Sequence, residues 1–512
     1  MADETPKAPL RNSLAKVRGR FGGDNGTFVL VSGNETVTHD MVRKYHCPGG
    51  RTGGVLRAES GEWFAGLHST AKAMTKYKIL IATVPADGHF NPLTGVAKYL
   101  LDQGHDVRWY TGPGYAGRIE RLGIPFYPFH RARGINQDNL NELLPERLQV
   151  TGTLARIRFD IRHLFLGDFN AHVEDVSEIR QSFEFDVLLS DPGFMACYLI
   201  QEKFRVPAVV VGISPLLESS RDVPPNSLGL TPGRGPLGKL RDRLLRAIFP
   251  KVIFGDSKRY YNELIGAHGL PPVDEYITDL LVRRTTRFLQ SGVPGFEYPR
   301  RDLHRNVRFV GPLLPYKKAQ TPRFAYAERA KLFKKTILIS QGTVDNKEPD
   351  KLIIPALDAF KNHPYLLLVA TGGQHTEMLR ERYPHGNIVI EDFIDYDATL
   401  PHTDLFVTCG GYGSVLLSLS HGVPMLAAGK HEGKNEIVAR VGYFQLGVNL
   451  GTERPKRGQL EQGAKEIWRN PVYRENVARI QQEFRQYDPN ALTEQYLREA
   501  VETFELERRV LA

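Results

Sequence analysis

Apolar residues fall into two series of short, continuous runs separated by stretches of helical period. The first series is KILIATV (78–84), DVRWYTG (106–112), DVLLSD (186–191), AVVVGIS (208–214) and RFLQSG (287–292). The second is TILISQG (336–342), YLLLVAT (365–371), NIVIEDF (387–393), LFVTCGG (405–411) and PMLAAG (424–429). Runs that are continuous rather than alternating belong to strands covered on both faces. Helices between them make successive strands parallel, in βαβ units. The pattern predicts an α/β fold: two Rossmann-like, doubly wound domains facing each other across a cleft. In open parallel sheets ligands sit outside the carboxyl ends of the strands. The informative polar residues should therefore come directly after each run.

Residues 1–75 are rich in Gly, Arg, Thr and Ser without a sustained period, and read as a poorly ordered N-terminal extension. Residues 76–312 hold the first series, including a mostly helical insert at 218–285. The segment GPLLPYKKAQTPRFAYAER (311–329) contains three prolines, and places an interdomain linker at 313–334. Residues 335–485 hold the second series. Residues 486–512 form a last helix with Leu492, Tyr496, Leu497, Val501 and Phe504 at helical spacing.

Composition narrows the class. The three cysteines, Cys47, Cys197 and Cys409, are too far apart for a disulfide framework or a metal spacing. That fits a reducing compartment. No apolar run approaches the roughly 18 residues of a membrane span, and the first residues lack a signal-peptide core. A cytoplasmic protein is expected. The net charge of +9 is modest for this length, and no basic-aromatic repeat points to nucleic acid. The stretch KLRDRLLRAIFPKVIF (239–254) is basic and amphipathic. It reads either as an insert helix packed on the first domain or as a weak contact with an anionic membrane surface.

The stretch ADGHFNPL (86–93) places His89 at the mouth of a strand-to-helix turn. Asn91 is a good N-cap and Pro92 suits a first helical position. Leu93, Val96, Ala97, Leu100 and Leu101 then keep a helical period up to Gly104. A histidine there, on the cleft side, is a candidate general base. Gly88 would let a substrate approach the backbone, and Phe90 and Phe194 are candidates for the same acceptor side. Asp191 ends another strand run and could orient the imidazole. The plainer reading is that His89 caps its turn and Asp191 caps the next helix. In the second half, VTCGGYGSVLLSLSHGVPM (407–425) runs from strand through a Gly-rich turn into a helix. Gly410, Gly411 and Gly413 open space there for a diphosphate held by backbone N–H groups, and Ser414 can cap the helix or donate to phosphate.

These stretches resemble the inverting, nucleotide-sugar-dependent glycosyltransferases of the GT-B fold, the family that includes macrolide glycosyltransferases. The likeness covers residues 76 to about 505. GHFNPL is similar to the family's Gly-His-x-x-Pro turn, and Asp191 to the partner of its base. ISQGT (339–343) is similar to its Ser-x-Gly-Thr turn, and 407–425 to its donor signature. The resemblance implies a UDP-sugar as co-substrate, no cofactor, and a small lipophilic acceptor. Ser340, Gly342, Thr343, Phe393, Ile394, Cys409, Gly410, Gly411, Gly413 and Ser414 would line the donor site, with Thr343, Gly411, Gly413 and Ser414 on the phosphates and Phe393 near the base. The chain departs from the family at several places. Cys409 stands for the usual histidine, Leu417 for a ribose-binding glutamate, and Phe393 for a tryptophan. Gly433 and Lys434 stand for an acidic-Gln pair on the sugar, which Glu432 or Glu436 could replace. Asp395-Tyr396-Asp397 has a metal-diphosphate spacing but reads as helix-capping acids, and no metal is expected. A nucleotide-sugar epimerase on the same fold, or a silent sugar-nucleotide-binding protein, are the alternatives.

Overall fold

The computed structural model describes residues 28–32, 35–39, 75–136, 139–318, 323–342, 345–431 and 433–511. Within the expected N-terminal extension it describes an antiparallel hairpin, β1 (Phe28–Ser32) and β2 (Glu35–His39). That hairpin belongs to a unit separate from residues 75–512. The rest of the extension, Cys47 included, lies outside the described residues.

In the larger unit every predicted run is a strand. The first sheet contains β3 (Lys78–Ala82), β4 (Asp106–Thr111), β5 (Phe126–Pro128), β6 (Val187–Ser190), β7 (Ala208–Gly212), β8 (Arg287–Ser291) and β9 (Val307–Gly311). Their order is β5-β4-β3-β6-β7-β8-β9, all parallel. Alternate residues of each run feed two cores. Ile79, Ile81, Leu189 and Val209 face one, and Leu80, Ala82, Leu188 and Val210 the other. Each of these Ile, Leu and Val side chains contributes roughly 1.5–3 kcal/mol on burial. The second sheet contains β10 (Lys335–Ser340), β11 (Tyr365–Ala370), β12 (Ile388–Glu391), β13 (Leu405–Thr408), β14 (Met425–Ala427) and β15 (Gly447–Asn449). Its order is β12-β11-β10-β13-β14-β15, again all parallel.

Six helices bear on the site and its surroundings: α1 (Asp87–Asp102), α2 (Thr153–Asp160), α3 (Gly235–Gly266), α4 (Tyr412–Ser420), α5 (Lys434–Tyr443) and α6 (Pro489–Leu511). The last of these returns to the first sheet, where Leu497, Ala500 and Val501 join the core around Ile79 and Ile81. The first sheet reverses its order between β3 and β6, and the second between β10 and β13. These are the switch points where such sheets open a crevice. Among the described residues no helix is long and apolar enough to cross a membrane.

Two local expectations change. Helix α1 begins at Asp87, not at Asn91, so Pro92 lies inside it and His89 falls in its first turn. The added turn is supported from outside: Asp87 accepts from Arg118 (2.6 Å) and from the Tyr115 hydroxyl (3.1 Å). An acid there also complements the helix dipole. Helix α3 packs through Ile253, Phe254, Tyr261, Leu264 and Ile265. Its first half, however, turns Leu237, Leu240, Leu244, Ile248 and Val252 outward. Packing on the first domain accounts for one face of that helix only.

Behind β4, His172 is enclosed by the Phe129 and Phe194 rings, at 4.8 and 5.0 Å. The Tyr110 hydroxyl donates to Asp175 (2.8 Å) and lies 3.0 Å from His172 Nδ1. Burial pushes the His172 imidazole from 6.5 down to about 4. Between those values the unfolded chain takes up a proton that the native state refuses. Stability is therefore lost as pH falls from 6.5 towards about 4; the gap corresponds to about 3 kcal/mol. His172→Phe should flatten that part of the curve, read as the urea midpoint against pH.

Candidate active site

His89 comes after β3 and Asp191 after β6, so the reversal in strand order sets them side by side. His89 Nδ1 and Asp191 Oδ1 are 2.5 Å apart. The carboxylate is fully buried, while the imidazole is 24% exposed. Asp191 is itself held rigidly: Oδ2 accepts the Val84 N–H (2.9 Å) and Oδ1 the Gly193 N–H (2.6 Å). A carboxylate on Nδ1 keeps the proton on that nitrogen and leaves Nε2 as the acceptor. This is the arrangement a base needs. Capping does not describe His89, because the N-cap of α1 is Ala86 and carries no side-chain bond, whereas Asp191 also holds its own turn through the Gly193 N–H.

Gly193 has no counterpart among the residues expected from the sequence. A Cβ there would lie 2.8 Å from Asp191 Oδ1 and 3.0 Å from His89 Cε1. Only glycine lets the ring and carboxylate close over this turn. The signal was present as Asp-Pro-Gly after a strand. Gly88 is exposed and open to approach. Phe90 and Phe194, expected on the acceptor side, have their rings buried in the core. Phe90 is buried between Trp109 and Tyr115 (ring centroids 4.6 Å from each), and Phe194 is buried near Tyr110. The aromatic ring facing His89 is Phe165, at 6.4 Å between centroids. It comes from a weakly patterned turn, Ile161–Phe165.

In the second sheet the corresponding edge carries Gly342 after β10 and Cys409-Gly410-Gly411 after β13. Gly410 has φ +79°, and a Cβ there would stand 2.4 Å from Val438 Cγ1. The turn thus brings strand and α5 too close for any side chain. Gly411 is the N-cap of α4 and provides no side-chain cap. The first N–H groups of α4 have no intrahelical acceptor. Gly413 is exposed, with nothing within 4 Å of its added Cβ, and Ser414 is half-buried beside it. Cys409 is buried, and its Sγ would lie 3.3 Å from a Cβ on Gly342. Phe393 is 80% exposed beyond β12, an open face for a flat ring.

Other expected donor residues are placed differently. The Ile394 side chain is buried in the second core, facing away from solvent where Phe393 faces it. The Ser340 hydroxyl is buried and accepts from Tyr396 (2.8 Å), so it shapes its turn. Lys434 is buried at the start of α5, directly after Gly433, which caps that helix in a left-handed conformation. Glu436 does not face the gap. It accepts the Gly229 N–H (2.7 Å) and pairs with Arg440 (3.2 Å). Leu417 is partly buried against the second core. Thr343 and Glu432 lie outside the described residues. Asp395 caps a short helix, accepting from the N–H groups of Asp397 and Ala398, and Asp397 pairs with Lys317 and His421. Among the described residues no cluster of three or more His, Cys, Asp or Glu side chains could hold a metal.

The two edges are joined. Tyr412, the first residue of α4, donates to the Ser291 carbonyl at the end of β8 (2.7 Å). Arg440 is fully buried, bonded to Glu297 (3.0 Å) and Glu436, with its guanidinium 4.3 Å from the Tyr298 ring. The gap edge of the second sheet is therefore held against that of the first.

Residues 256–487 match the family model for UDP-glucoronosyl and UDP-glucosyl transferase. The chain is 33% identical over 408 residues to 4'-demethylrebeccamycin synthase of Lentzea aerocolonigenes, covering 80% of this chain and 95% of that protein. It belongs to the UDP-glycosyltransferase family. A second relative, UDP-glycosyltransferase 2 of Phaeomoniella chlamydospora, is 27% identical over 434 residues, with 82% and 94% covered. The calicheamicin glycosyltransferase CalG4 superposes with a TM-score of 0.65 at 19% identity, covering 84% of this chain and 99% of that one. The parallel-sheet, Rossmann-like domains expected from the strand pattern and the GT-B fold implied by the resemblance are thus shown, and a nucleotide sugar is the co-substrate of this glycosyltransferase.

Two outcomes test the geometry. Gly193→Ala should separate His89 from Asp191 and lower kcat/KM roughly tenfold to a hundredfold at little cost in melting temperature. Arg440→Met should lower unfolding free energy by about 3–5 kcal/mol, because it leaves Glu297 and Glu436 buried and uncompensated. Denaturant titration reads the second.

Proposed function

We propose that this glycosyltransferase inverts configuration, transferring a sugar from a UDP-sugar to a hydroxyl of a small lipophilic acceptor, with no metal. His89 Nε2 takes the hydroxyl proton as the acceptor oxygen bonds to the anomeric carbon. The bond from that carbon to the diphosphate breaks on the opposite side, and the nucleoside diphosphate leaves with its electron pair. Asp191 orients the imidazole and stabilises its charged form. The first-turn amides of α4, with Gly411, Gly413 and Ser414, hold the leaving diphosphate. Phe393 lies beside the base. Positioning and leaving-group stabilisation supply most of the rate.

The observation that carries the reading is the 2.5 Å His89–Asp191 pair at the switch point of the first sheet. The Tyr412–Ser291 bond supports it, because it holds the start of α4 against the same edge. Phe165 beside His89 supports an apolar acceptor. The relative named for rebeccamycin chemistry supports a natural-product acceptor. A silent binding protein would have no use for an oriented base, and an epimerase would need acid-base groups around the donor sugar.

His89→Ala should lower kcat roughly 10²–10⁴-fold with little change in donor binding. Asp191→Asn should lower kcat with the donor KM unchanged. UDP release should require acceptor, persist in excess chelator, and give a product of inverted anomeric configuration by NMR. Full acceptor-dependent turnover in His89→Ala would defeat the assignment. Donor interconversion without acceptor would favour epimerisation, and binding without turnover the silent reading.

A further inference from the structure

The first half of α3 carries a surface that the catalytic reading does not use. Leu237 is 83% exposed, and Leu240, Leu244, Ile248 and Val252 are exposed with it. Their spacing of three and four residues makes one continuous apolar stripe about 22 Å long. Side chains on the opposite face, Asp242, Phe249 and Ile253, are buried. Lys239, Arg243 and Lys251 lie exposed along the stripe. Residues 239–254 hold five cations and one acid. That acid, Asp242, is turned inward, where it accepts from the Gly233 N–H (2.7 Å) and from Arg241 (2.9 Å).

We propose that this face of α3 docks on an anionic lipid bilayer, lying in the plane of the interface. An apolar stripe edged by Lys and Arg matches the acyl boundary below and the acidic headgroups beside it. Charge complementarity selects this occupant over a second copy of the chain, since two copies meeting here would oppose cations to cations. Helix α2 joins the face to the site. Arg158 of α2 donates to the Val252 carbonyl of α3. The chain then runs directly into Ile161–Phe165, whose Phe165 ring lies 6.4 Å from His89. Docking would set the acceptor side of His89 close to the bilayer, a route for a lipophilic acceptor; this last step rests on the proposed function, the docking itself does not.

The test is flotation of the full chain with phosphatidylcholine vesicles and with vesicles that also contain phosphatidylglycerol, without donor or acceptor. Association should require the anionic lipid and weaken as salt rises. Leu240→Glu, Leu244→Glu and Ile248→Glu combined should abolish it. Lys239→Glu, Arg243→Glu and Lys251→Glu combined should weaken it at least roughly tenfold. Both sets are exposed, so melting temperatures should stay unchanged. The proposal is overturned by no association with anionic vesicles at low salt, or by association that neither variant diminishes. It is also overturned by a dimer in light scattering that the glutamate variant dissociates, which would assign the stripe to self-association. Because no turnover is measured, none of these results bears on the role of His89.

Discussion

Parallel pairing gathers the carboxyl ends of all strands of a sheet on one edge, and the chemistry of this molecule depends on that constraint. Where strand order reverses, crossovers leave neighbouring strands towards opposite faces and a crevice remains between them. His89 and Asp191 are 102 residues apart, yet they meet because β3 and β6 are neighbours across such a point. The register of Ala82 against Ser190 puts their subsequent turns level. The second sheet repeats the device with β10 and β13, where Ser340 stands opposite Thr408.

Two such edges are useful only when they are held facing each other, and the holding contacts are apolar as well as polar: Val293 and Phe296, just after β8, are buried in the second core beside Tyr412 and Phe444. Tyr412 reaches Ser291, the Tyr316 N–H donates to the Thr94 hydroxyl (2.8 Å), and Arg440 joins Glu297 to Glu436. A buried ion network contributes little net stability, because desolvation offsets much of the attraction. Its geometry is nevertheless demanding. Each oxygen of Glu297 is spoken for, one by Arg440 and the other by the Leu216 N–H (2.8 Å). Glu436 is likewise divided between Arg440 and Gly229. The helix that begins at the Gly433 turn is thereby fixed to a segment of the 218–285 insert.

Strand runs were legible because burial on both faces demands continuous apolar sequence, and this demand is local. His89, Asp191 and the glycines of the 409–413 turn were legible because they come directly after such runs. What could not be read depended on direction or on distant partners. Phe90 and Phe194 sit next to the right residues in sequence, but helix and turn geometry aim their rings into the core. Ile394 comes after Phe393, and the chain turns successive side chains to opposite sides. Glu436 could not be assigned without knowing that Gly229 lies against it. The start of α1 was misplaced because Asn91-Pro92 is a strong local signal, overridden by Arg118 and Tyr115 holding Asp87 from another segment.

The departures from the family at Cys409 and Leu417 take on a different weight once the turn is seen in three dimensions. An anion site built on helix N–H groups is a property of backbone direction, and it survives exchange of the side chains around it. What it does not survive is a side chain where two backbones must approach. Gly410, with Val438 Cγ1 at 2.4 Å from its absent Cβ, is such a place. Gly411 opens α4 without a side-chain cap for the first amides of that helix. The chain has kept the residues that set the path of the backbone and exchanged those that decorate it. On the proposed reading, holding the diphosphate falls to the amides of α4, and recognition of the base to the exposed face of Phe393.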